Sequence, residues 1–316
     1  THTWQGAKGQ PPTEREIRAL AARAERIMTD AAVDTIIELQ RAVENYSFRL
    51  RAILAEAFRD ASTLPSLAEA IELADTLADA LIEAGLGDVM EAYIDGFRRV
   101  QDDALDYFQS FGIRATRAGI DVDGLNALVS LQEQAFLNLA DRRLVSPMRD
   151  AVIQGVIGGR PRNAVLDEIT RFMEDAGIVT RADKPFTDFQ IETLVNDSYR
   201  RYYRQVKAEK AEALEMEVIW YQGPDDKITR PACHAMLNNG KHGVPDMHLR
   251  SELTIEQVNQ WVGKPVQKEN PLVVGGGWRC RHTLHPVTLA FAVSKGFKPP
   301  PGVTTDEDIE ANAEGL

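Results

Sequence analysis

Both cysteines and five of the six histidines fall between positions 233 and 285, and these residue types can do chemistry together. Thiolates and imidazoles are the usual ligands of a structural zinc ion, so Cys233 and Cys280 could take one with two imidazoles from His282, His285, His234 or His248. Cys280-x-His282-x-x-His285 is not a finger-like spacing. A disulfide closing the 46 intervening residues and a pair of plain buried thiols are the other two readings, and all three stay open at this level. Two cysteines are too few for a disulfide framework.

A second chemistry is metal-dependent hydrolysis, for which Asp225, Asp226, His234, His242 and His248 supply candidate ligands. None of them falls into a helix spacing such as His-Glu-x-x-His, and position suggests no nucleophile with its base. Asp225 and Asp226 precede Arg230, and Arg281 follows Cys280. Arg–Asp pairs could pin the loop carrying Cys233, or these could be ordinary solvated turn charges. The run Gly275–Gly276–Gly277 lacks the following helix and Lys-Ser/Thr of a phosphate loop, so it is read as a place where the backbone passes close to another segment.

A third candidate is the stretch from Tyr199 to Lys210, where Arg200, Arg201, Arg204 and Lys207 interleave with Tyr199, Tyr202 and Tyr203. Basic and aromatic residues in alternation can hold DNA. On a helix, however, Leu194, Tyr199, Tyr202, Tyr203 and Val206 make the buried stripe, which leaves the basic residues as a solvated or partner-facing side.

These residues need a scaffold, and 316 residues at 44% hydrophobic content can build one of roughly two domains. The net charge of −12 repels a phosphate backbone at long range, so general DNA coating is excluded unless one face is locally basic. No stretch approaches the roughly 20 apolar residues of a membrane span, and the polar start predicts neither export nor insertion.

Residues 1–12 read as a loose leader. Thr13 and Glu16 form a capping pair that opens a helix near Glu14, and Ile17, Leu20, Ala24, Ile27 and Ala31, then Val43, Tyr46, Leu50, Ile53 and Ala57, carry its apolar stripe. No proline interrupts it before Pro65. Ser66 with Glu69 and Asp88 with Glu91 open the next two helices, which Gly85 and Gly87 separate. Asp123–Gly124, Ser146–Pro147, Asn163 and Thr187 with Gln190 open four more, and Gly158–Gly159 and Gly177 act as stops. The first stripe exceeds what a small core needs, so part of it is expected against another chain. Residues 13–215 are thus a helical domain. Val218–Tyr221 then reads as a strand, and 216–298 as a small α+β domain with a short helix from Ile255 to Val262. The acidic 299–316 reads as a flexible tail. The fold class expected is mainly α: an elongated helical region followed by a small α+β domain.

From Glu192 to Val287 the chain resembles the C-terminal domain of phage head-morphogenesis proteins, typified by the F protein of phage Mu. The resemblance is carried, in order, by Trp220, Asp225–Asp226, Thr229–Arg230–Pro231–Ala232–Cys233, Gly240–Lys241, Gly275–Gly276–Gly277–Trp278 and Cys280–Arg281–His282. Val195–Asn196–Asp197 stands where many relatives carry Arg-Thr-Glu, and Met236 where they carry a second cysteine. The resemblance implies a portal-associated minor head protein with a structural role and no enzymatic one. It implies the portal protein and further copies as partners, with capsid protein and phage DNA as further neighbours. It also implies residence in the virion head after assembly in the host cytoplasm.

Overall fold

The computed structural model describes residues 12–57, 66–113, 116–175, 189–277 and 280–315. The leader up to residue 11, Pro65, Gly177, Thr187 and Trp278 lie outside the described residues. The fold is mainly α, with a small three-stranded antiparallel sheet near the C-terminus.

The first helix, α1, covers Glu14–Ala57. Its start is the predicted capping pair: the Glu16 amide donates to Thr13 Oγ1 at 3.3 Å and the Thr13 amide to Glu16 Oε2 at 2.6 Å. At about 1.5 Å per residue the helix runs roughly 66 Å. Helix α2 is Leu67–Leu81, with a complete Ser66/Glu69 capping box, and α3 is Gly87–Gln109. Gly85, at φ 116°, makes the break between them, in a backbone region that side chains with a Cβ rarely adopt. Helix α4 is Val122–Ala140 and α5 is Ser146–Ile157. Ser146 is not the cap the Ser-Pro pair predicts. A π-helical turn, Asp141–Val145, leads directly into α5, and Ser146 Oγ donates to Asp141 instead, at 2.7 Å. Helices α6, Arg162–Asp175, and α7, Phe189–Ala213, complete the set before the sheet.

Strand β1 is Val218–Gln222, helix α8 Pro231–Asn238, β2 Met247–Leu249, α9 Ile255–Val262, α10 Pro271–Val274, β3 Thr283–Val287, α11 Leu289–Ser294 and α12 Asp306–Gly315. The sheet order is β2-β1-β3. Register places Trp220 opposite His285 and Tyr221 opposite Leu284. Because side chains alternate along a strand, Val218 and Trp220 enter one core and Ile219 and Tyr221 the other.

The division of the chain differs from a cut at 215/216. One compact unit takes the described residues of Thr1–Thr29, Phe97–Val129 and Asn196–Leu316; the other takes those of Asp30–Gly96 and Ser130–Val195. The sheet unit is built on Ile17, Tyr107, Phe108, Ala211, Trp220 and Phe291, so its core draws on α1, α3 and α7 as well as on the sheet. In the helical unit α2 packs on α5 and α5 on α6. There Tyr46 donates its hydroxyl to the Leu77 carbonyl at 2.9 Å, and Tyr93 meets Phe136 at 5.2 Å between ring centroids.

Most of the apolar stripe of α1 is covered by the chain itself: Ile17, Ala24, Ala31, Val43, Tyr46 and Leu50 are buried, Leu20, Ile27 and Ile53 are half-buried, and the large apolar residues left exposed on α1 are Val33, Ile37 and Phe48. One further expectation is corrected. The acidic tail is folded where it is described. Thr305 and Asp308 cap α12, Asp306 accepts the amides of Leu289 and Ala290 at the start of α11 at 2.6 and 3.1 Å, and Ile309 enters the core of the sheet unit. Ile309 is buried with Val303 and Ala313 packed against the same core, and these contacts and the capping carboxylates hold a segment whose composition alone reads as solvated.

Candidate functional site

Pro231 occupies the first turn of α8, where its missing amide costs nothing, and the helix turns Cys233 toward the sheet. Tyr221 reaches the same place from β1, and Cys280 and His282 from the residues leading into β3. The Sγ atoms of Cys233 and Cys280 are 3.6 Å apart and both thiols are free. Cys280 Sγ lies 3.8 Å from His282 Nδ1 and 3.6 Å from the Tyr221 hydroxyl. The Tyr221 and His282 rings stack at 5.2 Å, 5° from parallel. The ligating atoms of Cys233, Cys280 and His282 all fall within 4.8 Å of one another.

The glycine run makes this closeness feasible. The Gly276 amide donates to Cys280 Sγ at 3.3 Å, and a Cβ on Gly276 would stand 2.1 Å from Cys233 Sγ. Gly275 and Gly277 have φ of 56° and 96°. Gly223 is equally constrained, since a Cβ there would meet His282 Cδ2 at 2.2 Å. Cys280 is the more acidic partner, because Cys233 donates to it and the Arg204 charge and the Gly276 amide support its thiolate; Cys233 is correspondingly pushed up.

Arginines hold the surrounding loops. Arg204, buried on α7, donates to the carbonyls of Cys280 at 3.1 Å and His282 at 2.7 Å. Arg230 donates to the Gly276 carbonyl at 3.1 Å. Arg281 forks onto Asp226 at 3.0 and 2.8 Å, and Asp226 also receives the Ile228 amide and bonds the Thr229 hydroxyl. The Arg281 hydrogen bonds hold the Asp226 carboxyl at about 2. A pKa below the unfolded value, about 3.9, means that this pair's contribution is complete above pH 4 and is lost as pH falls toward 2. Carboxyl-carbon NMR should therefore show Asp226 titrating near 2, and Arg281→Gln should return it to the ordinary aspartate range. An Asp226 that titrates like an isolated aspartate in the unaltered chain would show that the fork does not form in solution.

His285 is not part of this cluster. It follows His282 by three positions but stands on the opposite face of the sheet, beside Trp220, with Nδ1 3.3 Å from Lys207 Nζ and Nε2 2.9 Å from the Thr283 hydroxyl. Burial, with Lys207 nearby, holds its imidazole well below the usual range. Lys207 and Arg204 are likewise removed from DNA contact. Lys207 is buried with its Nζ 3.5 Å above the Tyr107 ring centre, and burial lowers its pKa well below that of a free lysine. Arg200 and Arg201 are half-buried and pair with Glu25 and Glu269. Helix α7 is enclosed on more sides than one stripe predicts.

The residues considered for a hydrolytic metal are dispersed. His234 pairs with Asp225 at 2.9 Å, Asp226 with Arg281, His242 with Glu252 at 3.2 Å, and buried His248 approaches the Met236 carbonyl at 2.5 Å. Trp220 is buried and donates to Asp246 at 2.9 Å. Gly240 packs against backbone carbonyls, and Lys241 lies exposed near Glu252 at 3.9 Å. Sequence reasoning missed Tyr221 and Arg204 as parts of the site. For Tyr221 the signal was available: strand alternation after Trp220 sends it to the opposite face. No family model, curated protein or solved structure matches the chain.

Proposed function

We propose that the chain is a minor head protein of a tailed bacteriophage, an assembly component that docks on the portal. One observation supports this above others: several of the residues through which the sequence resembles head-morphogenesis proteins are engaged with one another. Arg281 forks onto Asp226, Arg230 holds the Gly276 carbonyl, and Gly276 lies against Cys233. Side chains used in this way fix loops in place, which suits a rigid docking module. Phage assembly in the host cytoplasm and residence in the head near the portal follow from this reading. Among the described residues no helix is long and apolar enough to cross a membrane.

Contact with the portal or a second copy would fall to exposed surface. Val33, Ile37 and Phe48 lie within roughly 60° of one another around α1, at 100° per residue, with exposed Glu44 on the same face between Ile37 and Phe48. The test is a localised particle reconstruction of heads made by the phage or prophage that encodes the chain, with composition checked by mass spectrometry. Density for the chain should appear at the portal vertex, and an Ile37→Asp/Phe48→Asp variant should be depleted from heads at least tenfold while remaining folded. Heads that lack the unaltered chain altogether would overturn the assignment.

A further inference from the structure

We propose that Cys233, Cys280, His282 and Tyr221 form a four-coordinate site for a soft divalent cation of the zinc class. The three separations from Cys280 match those of a tetrahedral first shell, and the ligating atoms of Cys233, Cys280 and His282 all lie within 4.8 Å of one another. Two thiolates at 2.3 Å from zinc lie about 3.8 Å apart, a thiolate and an imidazole nitrogen about 3.6 Å, and a thiolate and an oxygen about 3.5 Å. The corresponding distances here are 3.6, 3.8 and 3.6 Å.

The tautomer of His282 is fixed for the role. Its Nε2 faces the Pro224 carbonyl at 2.9 Å, an acceptor only, so that nitrogen carries the proton and Nδ1 presents a lone pair toward Cys280. A backbone carbonyl behind the outer nitrogen is how ligating histidines are commonly oriented. Charge also balances: two thiolates neutralise a dication, and the buried Arg204 guanidinium beside Cys280 offsets a Tyr221 bound as phenolate, the form in which a phenol ligates a metal. All four side chains are buried. The ion would join β1, the first turns of α8 and the entry to β3, segments that share a core of few residues. This proposal rests on the geometry alone and is independent of the assembly reading.

The test is Co(II) titration of the full chain, purified reduced and metal-free. One equivalent should give thiolate-to-cobalt charge transfer and visible d–d bands of four-coordinate intensity, and Zn(II) should abolish both. Reactive thiols should fall from two to none on Zn(II) addition. His282→Gln should weaken binding at least tenfold, His285→Gln should leave it unchanged, and Tyr221→Phe should retain the charge-transfer band but shift the d–d bands. Far-UV circular dichroism checks the fold of each variant, and the unaltered chain needs no variant to report. A reduced, folded chain with no charge-transfer band overturns the site, as does a His282→Gln chain that binds like the unaltered one. Unchanged d–d bands in Tyr221→Phe overturn the fourth ligand.

Discussion

Gly240→Ala should cost about 3 kcal/mol of unfolding free energy, the upper end of what overpacking usually costs. A Cβ at this position would stand 2.2 Å from the Val244 carbonyl oxygen, 2.5 Å from that of Met247 and 2.9 Å from that of Pro245. All three are backbone atoms, so no rotamer change relieves them. The Gly240 amide also donates to Pro245 at 2.8 Å, which ties the two arms of this loop together. Met247 opens β2 and pairs with Trp220, so moving the loop disturbs the sheet. Urea unfolding should show a lower midpoint with little change in slope, while Lys241→Ala, next to it and exposed, should stay within about 0.5 kcal/mol. Equal midpoints for Gly240→Ala and the unaltered chain would show that the close approach does not exist.

Arg204→Met should cost a similar amount, about 3 kcal/mol, for a different reason. Methionine nearly fills the space of the aliphatic stem, so the loss is in hydrogen bonding. The His282 carbonyl loses a 2.7 Å charge-assisted bond, and the Cys280 carbonyl keeps only the 3.3 Å contact from Arg200. Hydrogen bonds to charged groups contribute about 1.5–3 kcal/mol each, and an acceptor left buried and unpaired pays its desolvation in full. Arg204→Lys should recover less than half, since an ammonium cannot reach two carbonyls with the fork of a guanidinium. Thermal unfolding of the three chains measures the series, and full recovery by lysine would show that charge rather than geometry is what the loop needs.

The helices were legible because their signals are local. Thr13 with Glu16 and Ser66 with Glu69 mark starts through bonds made within one turn, and Gly85 marks a break through its own backbone. Strand β1 and helix α9 showed for the same reason, by residue type over a few positions. What stayed hidden depends on what covers each element. Lys207 and Arg204 lie outside the apolar stripe of α7, yet both are buried, because the ring of Tyr107 and the carbonyls before β3 receive them. His285 was grouped with His282 by proximity along the chain. Pro286 weakens the strand signal there, and without β3 the alternation that separates the two histidines cannot be read. In the tail, acidic composition outweighed the Thr305/Asp308 cap spacing that was present. The meeting of Cys233 and Cys280 was among the readings their residue types allowed, but the choice of His282 over His285 and the presence of Tyr221 required register.

The sheet unit is assembled from three stretches of chain, and this sets a timetable for folding during synthesis. Ile17 and Tyr107 leave the ribosome long before Phe291 and Ile309, the residues that close the same core. The early partners must wait in water or in transient company, because contacts between distant stretches cannot form until the later one exists. The helical unit has its last residue at Val195 and can settle first. A stall or truncation between Val195 and Ile309 would therefore release a chain with one finished body and a set of exposed apolar side chains, the kind of intermediate that chaperones and proteases recognise.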